Sequence, residues 1–160
     1  MKRAALIFVA LGLFGASQLD AQARFGGQLS FGSDQDLGVG ARLHVGLRSP
    51  ERLAIIGTFD WFFPDEPPSE DRSYWELNGN LAYFFKVAAS SSLAPYAGGG
   101  LNIAHKSKEF DDGRSASDTD LGLNLLGGTL FGRGKVNPFV ELRVELAGGE
   151  QFVLTGGVLF

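Results

Sequence analysis

The sequence predicts an all-β fold: an eight-stranded antiparallel up-and-down transmembrane β-barrel. Three observations lead there. Beyond residue 23, apolar and polar residues alternate with period two through eight successive segments, as in strands with two unlike faces. No segment there holds the roughly 18 consecutive apolar residues of a membrane helix. The connections alternate between long acidic loops and short basic turns, as expected of a barrel whose two ends face different compartments.

The start of the chain, MKRAALIFVALGLFGASQLDAQA, reads as a secretory leader. Lys2 and Arg3 precede an apolar run from Ala4 to Phe14, and Ala21-Gln22-Ala23 forms a small-x-small cleavage site. The predicted organisation is a cleaved signal peptide over 1–23 and one barrel domain over 24–160. Gly15-Ala16-Ser17 is a weaker cleavage site. The mature chain would carry 12 basic and 17 acidic residues, a balance that argues against nucleic acid as a partner. It has no cysteine, so a secreted fold of this size must be held without disulfides. Its glycines are scattered, which excludes a collagen-like repeat.

The segments follow in order. In RFGGQLSFG, Phe25, Gly27, Leu29 and Phe31 oppose Gly26, Gln28, Ser30 and Gly32. In DLGVGARLHVGL, Leu37, Val39, Ala41, Leu43, Val45 and Leu47 oppose Arg42, His44 and glycines. LAIIGTFDWFF sets Leu53, Ile55, Phe59, Trp61 and Phe63 against Thr58 and Asp60. YWELNGNLAYFF sets Trp75, Leu77, Leu81, Tyr83 and Phe85 against Glu76, Asn78 and Asn80. LAPYAGGGLNIAH is weaker, with Leu93, Ala97, Leu101 and Ile103 against Tyr96, Gly98, Gly100 and Asn102. Pro95 fits only near a strand end. LGLNLLGGTLF opposes Leu121, Leu123 and Leu125 to Gly122 and Asn124. PFVELRVEL is the clearest, with Val140, Leu142, Val144 and Leu146 against Glu141, Arg143 and Glu145. In QFVLTGGVLF, Phe152, Leu154, Gly156, Val158 and the terminal Phe160 share a face. Each segment has about the 9–11 residues that a tilted strand needs to cross a bilayer.

Such strands close in one of two inversions, apolar side in or apolar side out. The polar face here is rich in glycine and poor in lysine, which suits the crowded interior of an eight-stranded barrel better than a solvated surface. The rings sort as well. Phe31, Trp61, Phe63, Trp75 and Phe152 fall near the loop end, and Phe25, Tyr83, Phe85, Phe131 and Phe160 near the turn end. Two aromatic belts flanking an aliphatic band are expected of a barrel in lipid. The four loops SDQD, PDEPPSEDRS, KSKEFDDGRSASDTD and AGGE hold 12 acidic and 4 basic residues, whereas RSPER, KVAASSS and GRGKVNP hold one acidic and five basic. The long loops are expected outside and the short turns, with both termini, in the periplasm.

The leader, the eight alternating strands, LAPYAGGGLN, NPFVELRVEL and the final Phe160 together resemble the small outer-membrane β-barrel proteins, the porin-family or OmpA/OmpX-like eight-stranded barrels. The resemblance spans the whole mature chain. It implies the outer membrane of a Gram-negative-type bacterium, a monomer among outer-membrane lipid and lipopolysaccharide, and no cofactor. It also implies that the C-terminal strand, with Phe152, Leu154, Gly156, Val158 and Phe160, is read by the barrel-assembly machinery. The chain stops at Phe160, so no peptidoglycan-binding domain is expected after the barrel.

Three constellations bear on chemistry. Arg42 and Arg143 are expected to pair with Asp60, Glu76, Glu141 and Glu145 in an interior network, because a buried charge is costly unless paired. His44 is expected as a satisfied interior residue, not a metal ligand. The network is expected to plug the lumen, with a narrow proton or ion path as the sharper reading. His105 and Ser107 resemble the His-x-Ser pair of lipid A deacylases of this fold, with Asp118 or Asp120 as the orienting carboxylate. Lys108 stands where those enzymes carry asparagine, so a strand end entering a polar loop is the expected reading. DDGRSASDTD offers oxygen ligands without EF-hand spacing, and no metal site is expected. Lys106 and Lys108 lie where lipopolysaccharide phosphates would meet the rim. The function expected is structural or surface-interactive, with a rim esterase or a narrow channel as alternatives.

Overall fold

A computed structural model describes residues 23–64, 70–110, 113–132, 134–147 and 150–160. The leader before Ala23, the middle of the second loop, and Asp111 and Asp112 lie outside the described residues. The strands are β1 (Ala23–Gly32), β2 (Asp36–Gly46), β3 (Leu53–Phe63), β4 (Glu70–Phe84), β5 (Leu93–Phe110), β6 (Ser115–Phe131), β7 (Asn137–Glu145) and β8 (Phe152–Leu159). Each pairs antiparallel with its sequence neighbour, and β1 pairs with β8 from Gly26↔Leu159 to Gly32↔Val153. The result is a closed eight-stranded barrel with no free sheet edge at its waist. Phe160 extends that closure, its backbone N–H donating to the Phe25 carbonyl at 2.7 Å.

Alternation decides which way each side chain points, because successive residues of a strand face opposite sides of the sheet. Leu29, Ile55, Leu77, Leu101, Leu123, Leu142 and Leu154 stand on the outside of their strands, each about half exposed. Arg42, Asp60, Glu76, Glu141, Arg143 and Glu145 are buried within. An exposed apolar surface that encircles a molecule is far beyond what a monomer in water carries.

Two expectations about strand length and interior need correction. β4, β5 and β6 have 15, 18 and 17 residues, well beyond a bilayer crossing. Much of KSKEFDDGRSASDTD is therefore a β-hairpin, paired as far as Glu109↔Ser115. The outward rows across β4–β5–β6 explain why alternation hides this. They run Leu77–Ile103–Leu121, Trp75–His105–Thr119, Ser73–Ser107–Ser117 and Asp71–Glu109–Ser115. Both faces become polar above the His105 row, while backbone pairing continues.

The interior is also less polar than its charged residues suggest. Toward the turn end, Ile56, Ala82, Tyr96, Leu126, Leu130, Phe139 and Leu159 form one buried apolar layer. Toward the loop end, Phe62, Tyr74, Ala104 and Val153 form another. The charged residues lie between these layers. Glycine permits the tight geometry at two kinds of place. A Cβ at Gly100 would sit 2.0 Å from the Gly79 carbonyl oxygen, so β4 and β5 approach closely there. A Cβ at Gly128 would sit 2.7 Å from the Tyr96 hydroxyl, so that glycine makes room for the Tyr96 side chain.

Candidate functional site

The interior charges form two linked clusters. Nearer the turn end, both terminal guanidinium nitrogens of Arg42 on β2 meet the Glu141 carboxylate on β7. The Tyr96 hydroxyl donates to Glu141 Oε2 at 2.7 Å, and the Phe139 ring lies 4.3 Å from the Arg42 guanidinium carbon. Nearer the loop end, Arg143 serves three acids. Its Nη2 donates to Glu76 at 2.8 Å, its Nε to Glu145 at 2.9 Å, and its Nη1 lies 3.8 Å from Asp60. Gln28 joins the clusters, accepting from Arg42 at 3.3 Å and donating to Asp60 at 2.7 Å.

Neutral side chains complete the coordination. Ser30 and Thr58 donate to Asp60 at 2.9 and 3.3 Å. Gln151 Nε2 reaches Glu76 at 2.7 Å and Glu145 at 3.1 Å, and the Tyr74 hydroxyl donates to Glu76. All these groups are buried, where a half-satisfied charge would be expensive. The expected pairing thus resolves into Arg42 with Glu141, and Arg143 with Asp60, Glu76 and Glu145. Four acids still face two arginines.

Several members escape a search for charge alone. Tyr74, Tyr96, Gln28 and Gln151 sit on the polar parity of their strands but carry no formal charge. Asn124 donates to Asn78 at 2.8 Å and to Asn80 at 3.2 Å, extending the polar layer along β4 and β6. Asn102 lies beside them on β5, buried, with its amide unpartnered. Alternation in the sequence already sets Gln28, Tyr96 and the four asparagines on the polar face, and the same parity extended by one step finds Tyr74 and Gln151.

His44 stands nearer the turn end, its ring stacked on Phe84 at 5.3 Å. There the barrel opens into a cavity of about 370 Å³ bordered by Arg24, His44, Arg52, Phe84, Leu130 and Asn137. A second cavity of about 320 Å³ at the loop end is bordered by Asp34, Asp36, Arg72, Tyr74, Lys106 and Lys108. Lys106 lies over the Tyr74 ring, 5.7 Å from its centre.

His105 and Ser107 share the outward parity of β5; Ser107 borders the loop-end cavity, whereas His105 borders neither. His105 stacks on Trp75 at 5.2 Å, and its Nδ1 meets the Thr119 hydroxyl at 2.8 Å. The expected orienting carboxylates are misplaced. Register sets Thr119 opposite His105, which puts Asp118 and Asp120 on the other face of the hairpin. Asp118 instead accepts from the Thr119 backbone N–H at 2.9 Å. Nearness in sequence suggested a partner that strand parity forbids.

Among the rings, Phe31, Trp61, Phe63 and Phe152 stand exposed toward the loop end, with Trp75 half-buried between Phe59 and His105. Phe25, Tyr83, Phe85, Phe131 and Phe160 stand exposed toward the turn end. Leu154 and Phe152 face outward on β8 with Phe160 just beyond it, and Gly156 and Val158 share that parity.

No protein-family model matches the chain, and no curated protein matches it in sequence. Solved structures do match its fold. Neisserial surface protein A (NspA) superposes with a TM-score of 0.63 at 19% identity, covering 86% of this chain and 94% of that one. Ail, the attachment invasion locus protein of Yersinia pestis, gives a TM-score of 0.60 at 13% identity, covering 87% and 94%. A further structure of Ail, in complex with the heparin analogue sucrose octasulfate, gives 0.58. NspA and Ail are small outer-membrane barrels, and the closed antiparallel ring of eight strands described above is the same architecture: this chain has the fold of the small eight-stranded outer-membrane β-barrels.

Proposed function

We propose that the chain is an integral outer-membrane β-barrel whose lumen is plugged by its own side chains, and that it serves a structural or surface-interactive role. One observation carries this reading: leucines and rings cover the outside all the way around while the charges are paired within. In hydrocarbon, only a closed ladder satisfies every backbone N–H and C=O, and this barrel closes. The acidic loop end then faces outward, and the β5–β6 hairpin stands above the bilayer as the surface most available to partners. The signal peptide supplies export, and the C-terminal strand ending in Phe160 supplies the assembly signal.

The plugged lumen is supported by the two apolar layers that bracket the charged cluster. Reconstitution into planar bilayers tests it. Silence is expected, and steady single-channel openings would overturn the plug. Catalysis has little support, because His105 is hydrogen-bonded to Thr119 and stacked on Trp75. Mass spectrometry of lipid A from cells with and without the protein is expected to show the same acylation. Membrane insertion is tested by gel mobility. A folded barrel should migrate differently before and after boiling, whereas a protein that stays soluble without detergent would sink the assignment.

A further inference from the structure

The turn-end cavity has two unlike walls. Arg24 on β1, His44 on β2 and Asn137 on β7 are the polar members of one arc, since β7, β8, β1 and β2 are successive in the ring. Ala54, Phe84, Ala94 and Leu130, on β3 to β6, make the opposite arc apolar. The Arg24 guanidinium donates to Asn137 Oδ1, which orients it across the mouth and leaves its other N–H donors for a ligand. The cavity is blind, because the buried layer of Ile56, Ala82, Tyr96 and Phe139 lies beyond it.

A second observation concerns Arg52 at the lip. Its φ is 72°, a left-handed conformation that is uncommon for a residue other than glycine. The bond from the Phe84 N–H to its carbonyl, 2.8 Å long, holds it there. Backbone strain of this kind costs free energy and persists where the surroundings over-determine it, often beside a ligand. Here it fixes the backbone of a second arginine that borders the cavity.

We propose that this mouth binds a small amphipathic anion, a carboxylate with an apolar body, head to Arg24 and Arg52 and body against Phe84, Ala94 and Leu130. The cavity of about 370 Å³ is at the small end of the range for ligand sites and suits a single short chain or ring system, not a whole phospholipid. A cation would meet two guanidiniums, and a fully polar anion would leave the apolar arc uncovered. That the ligand arrives from the periplasm rests on the orientation proposed above; the binding itself does not.

The test uses the protein reconstituted in lipid nanodiscs, titrated calorimetrically with decanoate, with empty discs as the blank. Saturable binding above the blank is expected. Decyltrimethylammonium, with the same tail and the opposite charge, should show only partition into lipid. Arg24→Ala with Arg52→Ala should weaken decanoate by about tenfold or more, the loss expected for charge-assisted contacts. Ala94→Phe should block the cavity, with Ala54→Leu as the substitute if that variant fails to fold by gel mobility. Decanoate heats equal to the blank, equal binding of the two amphiphiles, or folded variants that bind as the parent does would each overturn the proposal. Because gel mobility reports the barrel separately, failure here is distinguishable from failure of the membrane assignment.

Discussion

Arg143 and Glu76 meet across the lumen at 2.8 Å, tying β7 to β4 through the middle of the barrel. The two strands are not neighbours in the ring, so no backbone ladder joins them. Arg143 is fully buried, and Glu145 and Asp60 rely on the same guanidinium. Replacing Arg143 by methionine strands three carboxylates without their cation. Breaking one partner of a buried ionic cluster costs about 3–5 kcal/mol. The urea midpoint of Arg143→Met in detergent micelles should fall accordingly, and Glu76→Gln, which keeps an oxygen toward Arg143, should cost less. A midpoint equal to that of the parent would mean the cluster contributes nothing. Arg143→Met should remain non-conducting, because both apolar layers survive it.

Backbone approach makes a second contrast. A Cβ at Gly100 would sit 2.0 Å from the Gly79 carbonyl, a main-chain atom that cannot step aside without moving β4. At Gly79 itself, on the outer face, a Cβ meets nothing within 4 Å. Gly100→Ala should destabilise by about 1–3 kcal/mol, as overpacking does. Gly79→Ala should be neutral or stabilise by about 0.4–1 kcal/mol through loss of unfolded-state freedom. Denaturant titration of the two variants side by side checks the pair, and similar midpoints would contradict this account of the β4–β5 approach.

Phe160 yields a third prediction. Its backbone N–H bonds to the Phe25 carbonyl and its ring stands outside at 68% exposure. Deleting it removes one closing hydrogen bond of about 0.5–1.5 kcal/mol together with the final ring of the turn-end belt. It should lower the fraction of protein inserted, read by gel mobility of membrane fractions. Deleting any single described residue of the β5–β6 hairpin tip, such as Arg114, should lower it less. Equal insertion would refute a special role for the last residue.

How much of this was legible in the sequence follows from strand parity. Wherever one face is apolar and the other polar, alternation places the residue, which is why Arg42, Asp60, Glu76, Glu141, Arg143 and Glu145 could be assigned to the interior by eye. It fails where the two faces stop differing. Ser73, Ser107 and Ser117 line up in one row, yet nothing in SKEF or SASD marks the strand as continuing. Asp118 and Asp120 looked like partners of His105 only while that stretch was read as a loop. Phe62, Ile56 and Leu126 went unnoticed inside for the opposite reason: an apolar residue on the polar parity, next to outward Trp61, Ile55 and Leu125, blends into a continuous apolar run. Cross-lumen partners such as Gln151 with Glu76 depend on the closure of the ring, which no local pattern encodes.

The two tryptophans give the most direct measure of where the bilayer lies. Trp61 on β3 and Trp75 on β4 are register partners, so both occupy one level of the barrel on its outer side. The next row toward the turn end is Phe59 with Leu77, and the row beyond the tryptophans on β4 is Ser73. That order places the pair where hydrocarbon gives way to headgroups, the position tryptophan favours. In vesicles of brominated phospholipids, bromines high on the acyl chain should therefore quench the fluorescence more than bromines near the chain ends. Trp61→Phe and Trp75→Phe, measured separately, should report the same depth. Deep-bromine quenching as strong as shallow, or two depths a strand row or more apart, would show that the row Trp75–His105–Thr119 does not mark the outer boundary of the membrane.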